Sequence, residues 1–300
     1  MTVTFELSLQ TECAAVKSLL VISLAMTTAV SLATDSNVIK AIQFATVDGH
    51  RLRLDLYPAD VKGRMPTVVW VHGGAWRRGS RTSVPVKPLT RRGYAVASVD
   101  YRLSPVAKFP AQVHDIKAAI RFLRANADEY KLDPARFAIA GSSAGGHLAA
   151  LTGVSGKSLE GTVGDHDHHS SMVSAIVSFY GASNLETILG QSTPHGLSVR
   201  VPALKLLLGD TPKRVPELAQ LASPVNHVDR TDPPLFLIHG DQDPQMPINQ
   251  AHELHSVYKK LQLPVEFRVV HGAAHGGDAF YTSEMLDRVA SFLDSLLSGR

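Results

Sequence analysis

The chain has 300 residues, of which 44% are hydrophobic, and it carries a formal net charge of +3. This length and apolar content suffice for one large domain, or two small ones, with a buried core. The basic residues are scattered, and the densest pairs, Arg77-Arg78 and Arg91-Arg92, have no aromatic residues interleaved with them. The composition therefore argues against a nucleic-acid partner.

Residues 1–33 are predicted to be a signal peptide. Lys17 precedes an apolar run over residues 18–30, and Ser31-Leu32-Ala33 places small residues at the positions that a signal peptidase reads. The run is short for a membrane span, so we expect a secreted or periplasmic protein with no membrane span in the mature chain. Glu6 and Glu12 are unusual before a signal, which a start codon assigned too far upstream would explain. The alternative interpretation is a buried N-terminal helix.

The only cysteine, Cys13, lies within the predicted signal peptide. The mature chain would then contain no disulfide, no thiol nucleophile and no cysteine metal ligand. Residues 34–300 are predicted to form a single catalytic domain.

From residue 40 onward, predicted strands alternate with predicted helices. Residues 42–47 and 51–57 alternate in polarity around Asp48-Gly49 and predict an antiparallel hairpin. The later apolar runs predict strands at Thr67–His72, Tyr94–Val99, Phe137–Ala140, Ser174–Phe179, Leu235–His239 and Val265–Val270. Helical periodicity predicts helices at Val84–Arg92, Ala111–Glu129, Ala144–Leu151, Pro247–Leu261 and Ser283–Leu297. This order is typical of a mostly parallel, doubly wound α/β sheet, whose active groups gather at the carboxyl ends of the strands.

A nucleophile motif follows one of these strands. Residues 141–145 read Gly-Ser-Ser-Ala-Gly, and Gly-x-Ser-x-Gly after an apolar strand is typical of a sharp strand-to-helix turn that exposes the serine hydroxyl. Ser143 is the predicted nucleophile. A neutral hydroxyl needs a base to take its proton, and the base needs a carboxylate to hold the correct tautomer and stabilise the imidazolium.

The partners of Ser143 are predicted at the ends of later strands. We assign the base to His275, because two glycines follow it on a loop, and the acid to Asp243. His271 and Asp241 remain alternatives for these two roles. The backbone N–H groups that would stabilise the oxyanion are assigned to Gly73, Gly74 and Ala144. This chemistry requires no metal and no cofactor.

Several neighbouring side chains receive secondary interpretations. Ala75 and Trp76 are candidates for lining the substrate pocket, with Trp76 as readily covering the loop. His72 and His147 are expected to be structural, and strand geometry is expected to point Ser142 away from the nucleophile. Residues 164–169, Gly-Asp-His-Asp-His-His, match no metal-site spacing, so we predict a solvated loop there.

Taken together, the motifs resemble the α/β-hydrolase superfamily, and within it the hormone-sensitive-lipase-like esterases of the acetyl and feruloyl esterase type. The resemblance covers about residues 40–297 and rests on residues 72–76, 100–104, 109–112, 141–147, 239–243 and 272–277. It implies Ser143, Asp243 and His275 as the catalytic residues and Gly73, Gly74 and Ala144 as the oxyanion donors. Many relatives carry a third glycine where this chain has Ala75. A small cap insertion is expected at about residues 185–224.

The leading hypothesis is a serine carboxylic-ester hydrolase that acts through an acyl-enzyme on short-chain or aromatic esters of the acetyl or feruloyl type. Its substrate would be a small-molecule or polysaccharide-linked ester. An amide hydrolase of the formamidase or peptidase type would use the same residues. A non-catalytic ligand-binding protein on the same scaffold is a third hypothesis, although such proteins typically lose one of the three catalytic residues.

Overall fold

A computed structural model describes residue 1 and residues 37–297. The predicted signal peptide, apart from Met1, and its boundary with the catalytic domain lie outside the described residues. Residues 37–297 all belong to one compact unit. No helix within these ranges is long and apolar enough to cross a membrane.

An eight-stranded sheet forms the centre of the fold, with the strand order β1-β2-β4-β3-β5-β6-β7-β8. The first two strands form the predicted antiparallel hairpin, β2 also pairs antiparallel with β4, and all remaining neighbours are parallel. The strands are β1 (Ile39–Val47), β2 (His50–Tyr57), β3 (Met65–Val71), β4 (Ala95–Val99), β5 (Leu132–Ser142), β6 (Ala175–Phe179), β7 (Leu235–Gly240) and β8 (Val265–Val270). The predicted α/β-hydrolase topology is confirmed.

Helices cover both faces of this sheet. They are α1 (Ala111–Ala125), α2 (Ala144–Val154), α3 (Ile188–Gln191), α4 (Pro194–Leu208), α5 (Pro216–Leu221), α6 (Asn249–Lys260) and α7 (Ser283–Leu297). The predicted helix over residues 84–92 is shorter than expected: it is a 3₁₀ helix, Lys87–Arg92, that ends at Gly93 in the left-handed conformation. The first helix also ends earlier than predicted, at Ala125 rather than residue 129.

Each central strand packs against two cores because its side chains alternate between the faces of the sheet. In β3, Val69 and Val71 belong to the core on the side of α1 and α2, whereas Val68 and Trp70 belong to the core on the side of α7. All four side chains are fully buried. This two-sided burial explains why the strands are continuous apolar runs in the sequence.

The segment expected to form the cap lies between β6 and β7. It contains α3, α4, α5 and a 3₁₀ helix at Pro224–Asn226. Helix α4 begins at a capped terminus, where the Thr193 hydroxyl accepts a hydrogen bond from the Gly196 backbone N–H. Thr193 also donates from Oγ1 to the Pro244 carbonyl oxygen at 2.7 Å, which joins this segment to the loop after β7.

Candidate active site

Ser143 occupies the turn between β5 and α2, as the motif predicts. Its backbone angles are φ 55° and ψ −118°, a strained conformation for a residue with a Cβ atom. Its backbone N–H bonds the Phe179 carbonyl oxygen at 2.9 Å, and its own carbonyl accepts from the His147 N–H at 3.0 Å. These bonds hold the hydroxyl at the carboxyl edge of the sheet.

The flanking glycines allow the close approach of α2 to the sheet. A Cβ atom on Gly145 would lie 2.0 Å from the Val71 carbonyl oxygen, and one on Gly141 would lie 2.3 Å from the Gly145 carbonyl oxygen. Both distances are far below contact with backbone atoms that cannot swing aside. Ser143 itself therefore has the strained φ angle, and the two glycines are needed because a side chain at either position would collide with backbone atoms.

A hydrogen-bond chain connects Ser143 to a buried carboxylate. The Ser143 hydroxyl lies 2.8 Å from His275 Nε2, and Asp243 Oδ2 lies 2.6 Å from His275 Nδ1. Asp243 Oδ1 accepts from the backbone N–H groups of Gln245 and Met246, each at 2.8 Å. The three side chains predicted to act together are thus in direct contact, although about 130 residues separate the serine from the histidine.

Burial and hydrogen bonding determine the protonation states of His275 and Asp243. Burial lowers the pKa of His275 below its usual value, and the hydrogen bond and charge of Asp243 offset part of that shift. Burial also disfavours ionisation of Asp243, but hydrogen bonds from His239 and His275 outweigh it and hold its pKa well below the usual range. At neutral pH the arrangement therefore pairs a neutral imidazole with a carboxylate, which is the state that a general base requires.

The alternative pair, Asp241 and His271, lies together elsewhere. Asp241 Oδ2 is 2.8 Å from His271 Nδ1, and Asp241 Oδ1 accepts from the Gly272 backbone N–H at 2.7 Å. The His271 side chain is 84% exposed. This pair connects the loop that carries Asp243 to the loop that carries His275. The histidine in contact with Ser143 is His275 and not His271.

The loop after β3 lies beside the nucleophile. A Cβ atom on Gly73 would be 3.4 Å from the Ser143 Cβ, and Gly74 has a φ of 117°, which only glycine adopts readily. Ala144 is the first residue of α2, so its N–H has no partner within the helix. Across residues 37–297, none of the N–H groups of Gly73, Gly74 and Ala144 donates a hydrogen bond to protein.

His72 anchors this loop in the way expected of a structural residue. Its ring stacks on the Tyr101 ring at 4.5 Å with an interplanar angle of 15°. The Tyr101 hydroxyl donates to the His72 carbonyl oxygen at 3.0 Å. Burial lowers the pKa of His72, so the ring stays neutral in this stack.

Trp76 and His147 form a buried pair under the loop. The Trp76 indole N–H donates to His147 Nδ1 at 3.1 Å, and His147 Nε2 donates to the Ala222 carbonyl oxygen at 2.7 Å. Burial lowers the pKa of His147 to about 4. Trp76 is fully buried and Ala75 is 8% exposed, and both have positive φ angles. The Trp76 side chain therefore has no exposed surface, and the pocket roles of Ala75 and Trp76 stay predictions.

The Asp- and His-rich segment is a surface loop. His166, His168 and His169 contact one another through their ring faces and edges, and Asp167 is exposed. In the part of the chain that the structure describes, no group of three His, Cys, Asp or Glu side chains is arranged to hold a metal ion. The absence of a catalytic metal remains a prediction.

Sequence reasoning missed three residues next to the site. The Tyr180 ring packs edge-on against the His275 ring at 5.0 Å, and its backbone has a φ of 40°. Its hydroxyl lies 2.7 Å from the Tyr281 hydroxyl. Arg200 comes from α4 and packs on Trp76. No local motif marks these residues, because only the folded chain brings them to the site.

Comparison with known proteins connects this geometry to a family. The BD-FAE family model matches residues 54–258. The chain belongs to the BD-FAE family. This family lies in the hormone-sensitive-lipase-like branch of the α/β-hydrolases, so the resemblance drawn from the motifs is confirmed.

Several relatives are esterases. Esterase LipC of Mycobacterium tuberculosis is 32% identical over 242 residues, which are 78% of this chain and 59% of that protein. A carbohydrate esterase from gut microbiota, solved in truncated form, has a TM-score of 0.80 at 29% identity and covers 89% of this chain and 98% of its own. Thermogutta terrifontis esterase 2 phosphorylated by paraoxon has a TM-score of 0.70 at 27% identity and covers 87% and 96%.

The chain spans about half the length of several curated relatives. It matches 59%, 44% and 54% of the first three. The solved structures, by contrast, match over nearly their whole length in the cases of the gut carbohydrate esterase and the Thermogutta enzyme. The family and the fold of the catalytic unit are therefore common to this chain and its relatives.

Proposed function

We propose that this chain is a serine carboxylic-ester hydrolase that works through an acyl-enzyme. The observation that carries the proposal is the hydrogen-bond chain Ser143–His275–Asp243 beside three backbone N–H groups that donate to no described residue. That combination supplies a nucleophile, a base, an orienting acid and an oxyanion site within one contact network. The esterase names of the relatives support the same class of reaction.

In the first step, Ser143 Oγ attacks the ester carbonyl carbon while its proton passes to His275 Nε2. The carbonyl oxygen becomes an oxyanion that the N–H groups of Gly73, Gly74 and Ala144 stabilise. Collapse of this intermediate breaks the bond to the alcohol oxygen, which takes the proton from His275. Water then attacks the acyl-Ser143 ester with His275 again as base, and the acid product leaves with Ser143 restored.

Asp243 acts on this cycle through His275. Its short hydrogen bond keeps the proton of the neutral imidazole on Nδ1, so Nε2 presents its lone pair to Ser143. When His275 becomes an imidazolium, the nearby carboxylate stabilises the positive charge. The two backbone bonds to Asp243 fix the carboxylate for both purposes.

The proposed substrates are esters with a short or aromatic acyl group, of the acetyl or feruloyl type, either free or linked to a polysaccharide. A structural relative that is a carbohydrate esterase supports this choice. We also propose a secreted or periplasmic location, on the strength of the predicted signal peptide. An amide hydrolase would use the same residues, and kcat/KM on an aryl ester compared with the matching aryl amide separates the two activities.

Replacing Ser143 tests the proposal directly. We expect Ser143→Ala to abolish turnover of 4-nitrophenyl acetate, because Ser143 supplies the hydroxyl that hydrogen-bonds to His275 Nε2, while thermal unfolding stays close to that of the wild type. Ser142→Ala, which removes the adjacent hydroxyl, is the matched control and is expected to keep activity within about tenfold of wild type. Residual activity of Ser143→Ala in that same range would refute the nucleophile.

Covalent labelling separates an enzyme from a binding protein on the same scaffold. A fluorophosphonate probe forms a stable bond only with a serine whose hydroxyl is activated by a base. We expect labelling of the wild type and none of Ser143→Ala, as judged by intact-protein mass spectrometry. A folded wild-type protein that does not react would favour the binding protein.

A further inference from the structure

Arg200 is a buried arginine, and most of its donors have no hydrogen-bond partner among the residues that the structure describes. It lies in α4, in the segment between β6 and β7, and is 1% exposed. Its Nε donates to the Gln245 carbonyl oxygen at 3.2 Å, whereas Nη1 and Nη2 are buried and have no hydrogen-bond partner within residues 37–297. Those two nitrogens carry four N–H donors in a planar fork. Burial lowers the pKa of Arg200 to about 10, which leaves the group charged at neutral pH.

The guanidinium lies between two loops of the proposed active site. Its Cζ is 6.0 Å from the centre of the Trp76 ring, at the end of the loop that carries Gly73 and Gly74. Its Nε bonds Gln245, two residues after Asp243. Its charge acts on both Asp243 and His275.

Asp243 does not serve as the counterion, because its oxygens are already engaged. Oδ1 accepts from two backbone N–H groups, and Oδ2 lies 2.6 Å from His275 Nδ1 and 3.4 Å from His239 Nε2. Among residues 37–297 no carboxylate forms an ion pair with Arg200. A buried charge without a hydrogen-bond partner is strongly unfavourable, so the four free donors of Arg200 require a partner that the described residues do not supply.

We propose that Arg200 recognises a carboxylate on the ester substrate. This inference rests on the proposed ester hydrolysis and narrows its substrate to an ester that carries a free carboxylate apart from the scissile bond. The two Nη nitrogens match the two oxygens of a carboxylate in a bidentate pair, a geometry that lysine cannot supply.

A second cation lies next to Arg200. Arg77 directly follows Trp76, its charge acts on Arg200, and it forms no ion pair with a described residue. Two unpaired positive charges beside the oxyanion loop raise the local potential and favour entry of an anionic ester.

The helix that carries Arg200 lacks one backbone hydrogen bond near the place where the substrate carboxylate would reach the guanidinium. Neither Nη has surface open to solvent, so the carboxylate reaches them by a local shift of α4. Pro202 lies inside that helix and has no backbone N–H to bond the carbonyl of Ser198, one turn earlier. The turn around Arg200 therefore lacks one bond of the helical ladder and opens at lower cost than a regular turn.

Paired substrates test the proposal and locate the carboxylate. For the acyl side, the pair is the 4-methylumbelliferyl monoester of adipic acid and the neutral 4-methylumbelliferyl hexanoate. For the alcohol side, the pair is 4-acetoxybenzoate and its neutral methyl ester. In each pair the readout is the ratio of kcat/KM for the anionic substrate to kcat/KM for the neutral one. Turnover of the neutral substrates tests the proposed ester hydrolysis independently of Arg200.

The decisive variant is Arg200→Met, which keeps the apolar stem and removes the donors. We expect it to lower the anionic-to-neutral ratio about 10- to 100-fold in one of the two pairs, as loss of a charged hydrogen-bonded contact does. We expect kcat/KM to fall for both members of a pair, because the hydrogen bond from Arg200 to Gln245 is also lost. The test therefore depends on the ratio of the two kcat/KM values and not on either value alone. Lys205→Met removes a positive charge from an exposed position of the same helix, and its ratio is expected to match the wild type.

Two results would overturn the proposal. The first is an equal ratio in wild type and Arg200→Met for both pairs. The second covers the case in which Arg200→Met fails to fold: in the Ser143→Ala protein, which retains Arg200, calorimetry would show the anionic member of neither pair binding more tightly than its neutral counterpart. Tighter binding of one anionic ester there supports the proposal without any turnover.

Discussion

Individual residues of the site are held in costly states by their neighbours. Ser143 adopts a φ of 55°, Tyr180 a φ of 40°, and Asp243 is a carboxylate with no exposed surface. Strained backbone costs about 1–3 kcal/mol for each residue and persists only where the surrounding structure enforces it. The Ser143 N–H bond to Phe179 and the Tyr180 N–H bond to Ile238 provide that enforcement.

Asp243 is expected to matter through the tautomer of His275. Asp243→Asn keeps the shape of the side chain but offers an amide N–H, which favours the tautomer with its proton on Nε2 and so removes the acceptor that Ser143 needs. A loss of about 10⁴-fold in kcat is the size of effect that this exchange has in a serine protease triad. Asp241→Asn, at the exposed neighbouring pair, is the control and should leave kcat nearly unchanged. Equal effects of the two variants would contradict the assignment, with initial rates on 4-nitrophenyl acetate as the measurement.

The sequence pointed to Ser143, His275 and Asp243, but it left a second Asp–His pair, Asp241 and His271, as an alternative. The spacing of 241–243 and 271–275 allows two Asp–His pairs, and both pairs do form, at 2.8 Å and 2.6 Å. Which pair lies at Ser143 depends on how the loops after β7 and β8 close, and that is a long-range property. Arg200 was missed for the same reason. It stands out because its Nη nitrogens have no hydrogen-bond partner among the described residues, and only the folded structure reveals this.

At the scale of elements, the contact of α2 with β3 fixes the position of the nucleophile. The helix begins at Ala144, and its first turn lies so close to the strand that Gly145 has no space for a side chain. The strand, the strained turn and the helix therefore form one unit, and a change in their separation moves Ser143 relative to the loop at Gly73.

Gly145→Ala is expected to destabilise the protein and slow catalysis together. The added methyl would lie 2.0 Å from the Val71 carbonyl oxygen and 2.5 Å from that of His72, so α2 and β3 must separate. Overpacking of this kind costs about 1–3 kcal/mol in unfolding free energy. Gly190→Ala in α3 is the control: a methyl there meets nothing within 4 Å, so stability should be unchanged or slightly higher. Denaturant unfolding measures both, and equal midpoints would show that the helix adjusts freely.

Strand β5 extends beyond its predicted bounds at both ends, and the helices between β6 and β7 were not predicted as separate elements. The sequence predicts a strand at Phe137–Ala140, whereas β5 runs from Leu132 to Ser142. Its first residues include Asp133 and Arg136, which interrupt the apolar run but form a partly buried ion pair with each other at 2.7 Å. Local periodicity locates the buried centre of a strand, and hydrogen bonding to neighbours sets its ends.

At the scale of the whole molecule, a buried ion pair connects the loop after β4 to α1. Arg102 Nη2 donates to Asp115 Oδ1 at 2.8 Å, and the Arg102 backbone N–H donates to Asp115 Oδ2 at the same distance. Asp115 has no exposed surface. Burial raises the pKa of Asp115, and the Arg102 hydrogen bonds and charge oppose that shift. The same loop contacts the one after β3, since Ser104 N–H bonds the Trp76 carbonyl oxygen at 2.8 Å.

Asp115→Ala is therefore expected to destabilise the whole fold. It leaves a largely buried guanidinium without its counterion, and breaking a buried pair from one side costs about 3–5 kcal/mol in unfolding free energy. The control is Glu284→Gln, which breaks the exposed Glu284–Arg288 pair on α7 and should change stability by no more than about 0.5 kcal/mol. Chemical denaturation of the purified proteins measures both changes. An effect of Asp115→Ala as small as that of the control would mean that Arg102 finds another partner or water, and that the loops around the site do not depend on this pair.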